Sequence, residues 1–189
     1  MSLKKSRVIA LFGTFVLSFL FHFAYEMFPN FIFSIIFPVN ESIWEHMKIL
    51  YSSIIFYGFI DYFVLKRFNL DYHNFLFNIC FCAFISILIY LGLFLPAYYR
   101  FGESMFLSIS ILFITYIIVY YISYLILKSS DFDFERFLVI LILLGYIVFG
   151  YFTYYPIENQ LFFDTHSEIY GIKKRNWLFL WSIYKRYSV

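Results

Sequence analysis

Two histidines and several carboxylates stand close together in an otherwise apolar chain. His22 and Glu26 end one long apolar run, and on a helix they share a face as i, i+4 neighbours. Asn40, Glu41, Glu45, His46 and Lys48 crowd into PVNESIWEHMK, Pro38–Lys48, which opens the next run. Farther on, Asp164, His166 and Glu168 alternate, so an extended segment would point all three one way. Neutral imidazole and carboxylate are the usual ligands of a catalytic zinc, which takes three protein groups and leaves a position for water. His22, Glu26, His46 and Asp164 are therefore candidate ligands for a divalent metal such as zinc, which would lower the pKa of its water and allow hydrolysis at a membrane surface.

A metal-free reading uses the same region. Glu26 or Glu45 would act as general base beside the His46 imidazole, and separated carboxylate pKa values near a low-dielectric boundary suit such work. Asn40, Glu41, Lys48, Arg100 and Tyr170 are then candidate substrate contacts, with Lys48 or Arg100 holding an anionic group such as a lipid phosphate. No His-Glu-x-x-His zinc-protease pattern occurs. Plain structure also explains part of the segment: Asn40 is a natural N-cap, Ser42-x-x-Glu45 fits a capping box, and Trp44 suits an interface anchor.

The elements that must position these residues are membrane helices. The 189 residues are 63% hydrophobic, 27% aromatic and 14% charged, against about 25% charged in soluble domains. That is too little polar residue to clothe a soluble domain. A net charge of +2 with no dense basic run excludes nucleic acid as a partner. Cys80 and Cys82 lie within an apolar run and read as small hydrophobes without a disulfide framework.

A span takes about 20 mostly apolar residues. Five runs qualify: 7–27, 47–65, 75–97, 105–127 and 137–155. The stretch 28–39, bracketed by Pro29 and Pro38, is too short to cross and is expected to be re-entrant or interfacial. The tail, 156–189, carries Trp177 and Trp181 and is expected to lie at the interface. The fold class is thus all-α: a single membrane helical bundle of about five spans. With Lys4, Lys5, Arg7, Lys66, Arg67, Lys128 and Arg136 on one side, the excess of basic residues predicts a cytoplasmic N-terminus. Asp61 falls inside the second span, with Asn78 or Tyr57 as its expected partner.

His22-Phe-x-Tyr25, PVNESIWEHMK and Leu161-Phe-Phe-Asp164…Ile169-Tyr-Gly-Ile172 together resemble an uncharacterised family of small bacterial integral membrane proteins, a domain of unknown function. The resemblance covers nearly the whole chain. It supplies no activity, and implies only that these segments belong together as a unit. A narrower likeness, confined to His22-Phe23-Ala24-Tyr25, is to the VanZ-like family. The favoured reading is a multi-pass plasma-membrane hydrolase or transferase acting on a lipid or lipid-linked substrate, with the lipid bilayer as its surroundings. The alternatives are a small permease or ion-coupled transporter, and a non-catalytic accessory subunit.

Overall fold

Four helices are long and apolar enough to cross a bilayer: α1 (Leu3–Met27), α3 (Ile43–Arg67), α4 (Phe75–Phe101) and α5 (Met105–Lys128). The computed structural model describes residues 1–102, 104–131 and 137–172. Within them lie also α2 (Phe31–Ile36), α6 (Leu138–Tyr154) and a small antiparallel hairpin of β1 (Phe163–Asp164) and β2 (Ile169–Tyr170). The all-α bundle expected from composition is the fold observed. At 17 residues, α6 spans only about 25 Å, less than a typical hydrocarbon core of about 30 Å. The expected interfacial helix around Trp177 and Trp181 lies outside the described residues.

Helix α3 is the centre of the bundle. Its most apolar 18-residue window is 67% buried, against 22–33% in the other three long helices. The outer helices turn apolar side chains outward: Val8, Phe12, Val16 and Leu20 form an exposed stripe on α1, spaced one helical turn apart. Water would not tolerate so large an apolar surface, whereas lipid chains accept it. The opposite face of α1, through Arg7, Thr14 and Ser18, is buried.

That inner face is hydrogen-bonded across helices. Arg7 donates to Asp61 of α3, reaching Oδ2 at 2.6 Å, and to Ser123 of α5 at 3.2 Å. Asp61 thus finds Arg7 as its ionic partner instead of Asn78 or Tyr57. Sequence reasoning places Arg7 at the very start of the first span, among the cytoplasmic-side charges; Ser2 caps the helix earlier than that and draws Arg7 into the bundle. Higher on α1, Thr14 pairs with the Tyr120 hydroxyl, and Ser18 lies 2.7 Å from the Tyr116 hydroxyl and 3.2 Å from Ser53. With little hydrophobic drive between helices in lipid, such small polar contacts are what hold helices together.

Between α1 and α3 the chain cannot continue as one helix, because Pro29 and Pro38 remove donors and restrict their neighbours. The short α2 fills the gap and packs on α6, with Ile35 against Gly150 and Ser34 Oγ 2.8 Å from the Tyr154 hydroxyl. Its free C-terminal carbonyls need donors in apolar surroundings. Lys48 Nζ reaches the Ser34 carbonyl at 2.7 Å, and Ser52 Oγ the Ile36 carbonyl at 2.7 Å. Lys48 is wholly buried and also bonds Glu45 Oε2 at 2.7 Å and Thr153 Oγ1 at 2.6 Å. Glu45 accepts in turn from Thr153 and from the Val39 amide.

Removing one partner of a buried ion pair costs about 3–5 kcal/mol, whereas replacing both with apolar groups is far less damaging. Lys48→Met should therefore lower the thermal unfolding temperature in detergent sharply, and Glu45→Leu with Lys48→Met should recover part of the loss. A single variant as stable as the parent chain would show that the pair does not hold α2 in place.

Candidate functional site

Glu41 sits between two imidazoles. Helix α3 starts at Ile43 because Ser42 is its N-cap, with Oγ accepting from the Glu45 amide at 3.4 Å. Glu41 therefore lies before the helix, while His46 lies in its first turn. His46 Nδ1 is 2.9 Å from the Ser42 carbonyl, which can only accept, so Nδ1 carries the hydrogen. His46 Nε2 lies 3.4 Å from Glu41 Oε2, and His22 Nε2, arriving from α1, lies 3.5 Å from Oε1. The two rings are 5.6 Å apart and tilted by 31°.

The hairpin holds Glu41 in this position. Asp164 accepts from the Glu41 amide at 3.3 Å and from the His166 and Ser167 amides at 2.8 and 3.1 Å. Burial acts to raise the Asp164 pKa, but the amides of Ser167, Glu41 and His166 outweigh it and hold the carboxyl below its usual range. Asn40 adds a second tie: its amide donates to the Gly171 carbonyl at 2.8 Å, and its carbonyl accepts from the Ser42 amide at 2.9 Å. Gly171 is at φ +59, and a Cβ there would meet the Thr153 carbonyl oxygen at 2.4 Å. Only glycine fits both the left-handed turn and this approach.

His22, Glu41 and His46 form one end of a cavity of about 480 Å³. The remaining wall is mostly apolar, with Phe19 and Phe23 from α1, Ile49 and Leu50 from α3, and Met105 and Leu112 from α5. Of the lining residues, Phe19 and Phe23 of α1 and Met105 of α5 are also exposed on the outside of the bundle. Ser18, Tyr90, Ser104, Ser108 and His166 add polar groups to its lining.

Of the residues singled out from sequence, His22, Glu41 and His46 come together. His166 joins them in the lining of the cavity, and the others go elsewhere. Glu26 is exposed near the end of α1, and the carboxylate that reaches His22 is Glu41. Glu45 and Lys48 turn inward to each other, because the N-cap at Ser42 separates them from Glu41 despite the helical spacing of all three. Asp164 spends its oxygens on backbone amides, since 165–168 form a turn and not an extended strand. Asn40 is a loop tie. Arg100 is exposed, its guanidinium 5.9 Å from the Phe101 ring centroid, and Tyr170 lies against Phe163, ring centroids 5.0 Å apart. None of these seven lines the cavity. Sequence reasoning missed Ser18, Tyr90, Ser104 and Ser108; the one-turn spacings of Thr14 with Ser18 and Ser104 with Ser108 were the available signal.

Because the folded Asp164 carboxyl is held low, its contribution is present above the unfolded carboxylate pKa and is lost as pH falls through the folded value. The protection of the Glu41, His166 and Ser167 amides, taken relative to their intrinsic exchange rates at each pH, should thus fall on acidification below the ordinary carboxylate range. Asp164→Ala should show that lower protection already at neutral pH. Unchanged protection in this variant would remove Asp164 as the brace.

No curated protein and no solved structure matches this chain. One family model does match, over residues 1–172, a range that takes in His22, Glu41, His46 and the whole hairpin. The chain belongs to the DUF6512 family, a family of unknown function.

Proposed function

We propose that the protein is a multi-pass plasma-membrane enzyme that hydrolyses, or transfers a group on, a lipid or lipid-linked substrate. The observation that carries this is the lining of the cavity: a mostly apolar chamber that includes the outward-exposed Phe19, Phe23 and Met105 together with two imidazoles and a carboxylate. At about 480 Å³ it has the size of a small-molecule site, and its few convergent polar groups are what orient a ligand in such sites. A lipid chain entering between α1 and α5 would bring its headgroup to Glu41 and His46. Glu41 and His46 take the acid–base roles, with His22 completing the set. The basic residues at the Lys4, Lys66 and Lys128 ends favour a cytoplasmic N-terminus and an extracytoplasmic His22 end, with α6, whose 17 residues are at the lower limit for a span, as a fifth crossing.

The test is turnover of purified full-length protein in nanodiscs carrying a panel of glycerophospholipids and a lipid-linked diphosphate. General acid–base groups contribute about 10²–10⁴-fold, so Glu41→Gln and His46→Ala should each reduce product release by about that factor. Leu112→Trp should slow long-chain substrates more than a short-chain analogue. Product release that is indifferent to both Glu41→Gln and His46→Ala would defeat this assignment of the site.

A second reading, an ion-coupled transporter, is favoured by the polar inner face of α1. It runs from the Arg7–Asp61 pair through Thr14 and Ser18, and Ser18 lines the cavity. In proteoliposomes with an entrapped pH dye, this reading expects proton flux that Asp61→Asn or Tyr120→Phe abolishes. Vesicles that stay proton-tight on either sign of pH gradient would exclude it.

A further inference from the structure

The His22–Glu41–His46 arrangement brings two imidazoles and a carboxylate, all metal-ligating groups, to one point. With His46 Nδ1 donating to the Ser42 carbonyl, Nε2 is the ring atom turned to a Glu41 carboxylate oxygen, at 3.4 Å. Among the described residues, the ion-pair partners of Glu41 are these two imidazoles. Both contacts are longer than the roughly 2.7–2.9 Å of a charge-assisted hydrogen bond. Imidazole and carboxylate are therefore held close without bonding each other well.

We propose that Nε2 of His22, Nε2 of His46 and the carboxylate of Glu41 bind one divalent metal ion, with zinc the best match to this donor set. The proposal rests on the enzymatic reading above and deepens it: Glu41 and His46 become ligands of the ion, and the ion takes over from them the activation of water at the same site. Bonds of about 2.0–2.1 Å at tetrahedral angles put neighbouring donor atoms about 3.3 Å apart. His22 Nε2 and His46 Nε2 stand at about that spacing, 3.5 and 3.4 Å, from the two different oxygens of Glu41. One donor atom from each residue lies within 4.8 Å of the other two, so side-chain rotation toward one shared carboxylate oxygen would complete the set. Both histidines are only about three-quarters enclosed, with side-chain exposures of 26% and 25%, and have room for it.

The surroundings fit the same ion. A metal-bound histidine usually gives its other ring N–H to a carbonyl or carboxylate, which sets the tautomer and the ring plane; the Ser42 carbonyl does this for His46. Asp164 and Asn40 fix the loop that carries Glu41, so the carboxylate is presented before any ion arrives. Three protein donors leave a fourth position, and the cavity is where it would face.

Metal content can be read without any substrate. Full-length protein in detergent, stripped by a chelator and titrated with zinc, should retain about one equivalent through gel filtration. Loss of one ligand should weaken binding by at least about tenfold in His46→Ala and in Glu41→Gln, with helical circular dichroism confirming that both remain folded. Cobalt(II) gives an independent readout: His22→Cys keeps a ligand and should add a sulfur-to-metal charge-transfer band in the near ultraviolet, beside the d–d bands of the visible spectrum. Stoichiometric zinc that persists undiminished in both His46→Ala and Glu41→Gln would overturn the proposal, as would a parent chain with no saturable zinc or cobalt binding. Zinc bound without turnover of any lipid supports the metal site while the enzymatic reading fails. Turnover by a chain that binds no metal overturns the metal site and leaves the enzymatic reading standing.

Discussion

The buried Lys48–Glu45 pair is the contact on which the remaining architecture depends. All three ammonium hydrogens have acceptors: a carbonyl at the end of α2, a hydroxyl on α6 and a carboxylate one turn away on α3. The Glu45 carboxylate then takes the Val39 amide, at the start of the loop that leads to Glu41. One ion pair therefore joins α2, α3, α6 and the loop preceding the site. Desolvating two charges costs several kcal/mol per ion, but the alternative is a broken helix with unpaired carbonyls in apolar surroundings. The pair makes an interrupted helix tolerable.

From that anchor the site is assembled in steps. Val39 is fixed by Glu45, Asn40 ties the loop to Gly171, and Asp164 binds the Glu41 amide. The hairpin contributes no side chain to the His22–Glu41–His46 cluster, yet it sets where Glu41 stands. Trp44 belongs to the same support: its ring stacks on Phe162 at 4.8 Å and packs against Phe149 and Phe152, and its amide donates to the Leu161 carbonyl. Expected from sequence as an interface anchor, it is instead the wedge that joins α3, α6 and the segment leading into the hairpin.

Much of the bundle was legible in the residues because lipid imposes simple demands. Long apolar runs become helices, since only internal hydrogen bonding satisfies a backbone there, and paired prolines interrupt them. His22 and His46 were legible as site candidates because ionisable groups beside apolar runs are costly and stand out. The choice among carboxylates was not legible. Glu41 and Glu45 have ideal helical spacing, and the local sequence offers two caps, Asn40 and the Ser42-x-x-Glu45 box; only the second, the one observed, separates the two carboxylates and sends one outward and the other inward. Glu26 has ideal spacing to His22 as well, but the carboxylate that reaches that ring comes from a segment separated from α1 by the whole of α2.

By itself the sequence determined that this chain is an all-helical membrane protein and that its polar chemistry gathers around Pro38–Lys48, because composition and hydropathy act locally and additively. Only the tertiary structure decided that Lys48, Glu45 and Asp164 serve the framework, that Arg7 pairs with Asp61, and that Glu41 lies between two histidines in the lining of a mostly apolar cavity. Those outcomes depend on which groups meet across helices far apart in the chain. A charge in an apolar interior goes to whichever partner the packing brings within reach, and spacing along one helix does not reveal that partner.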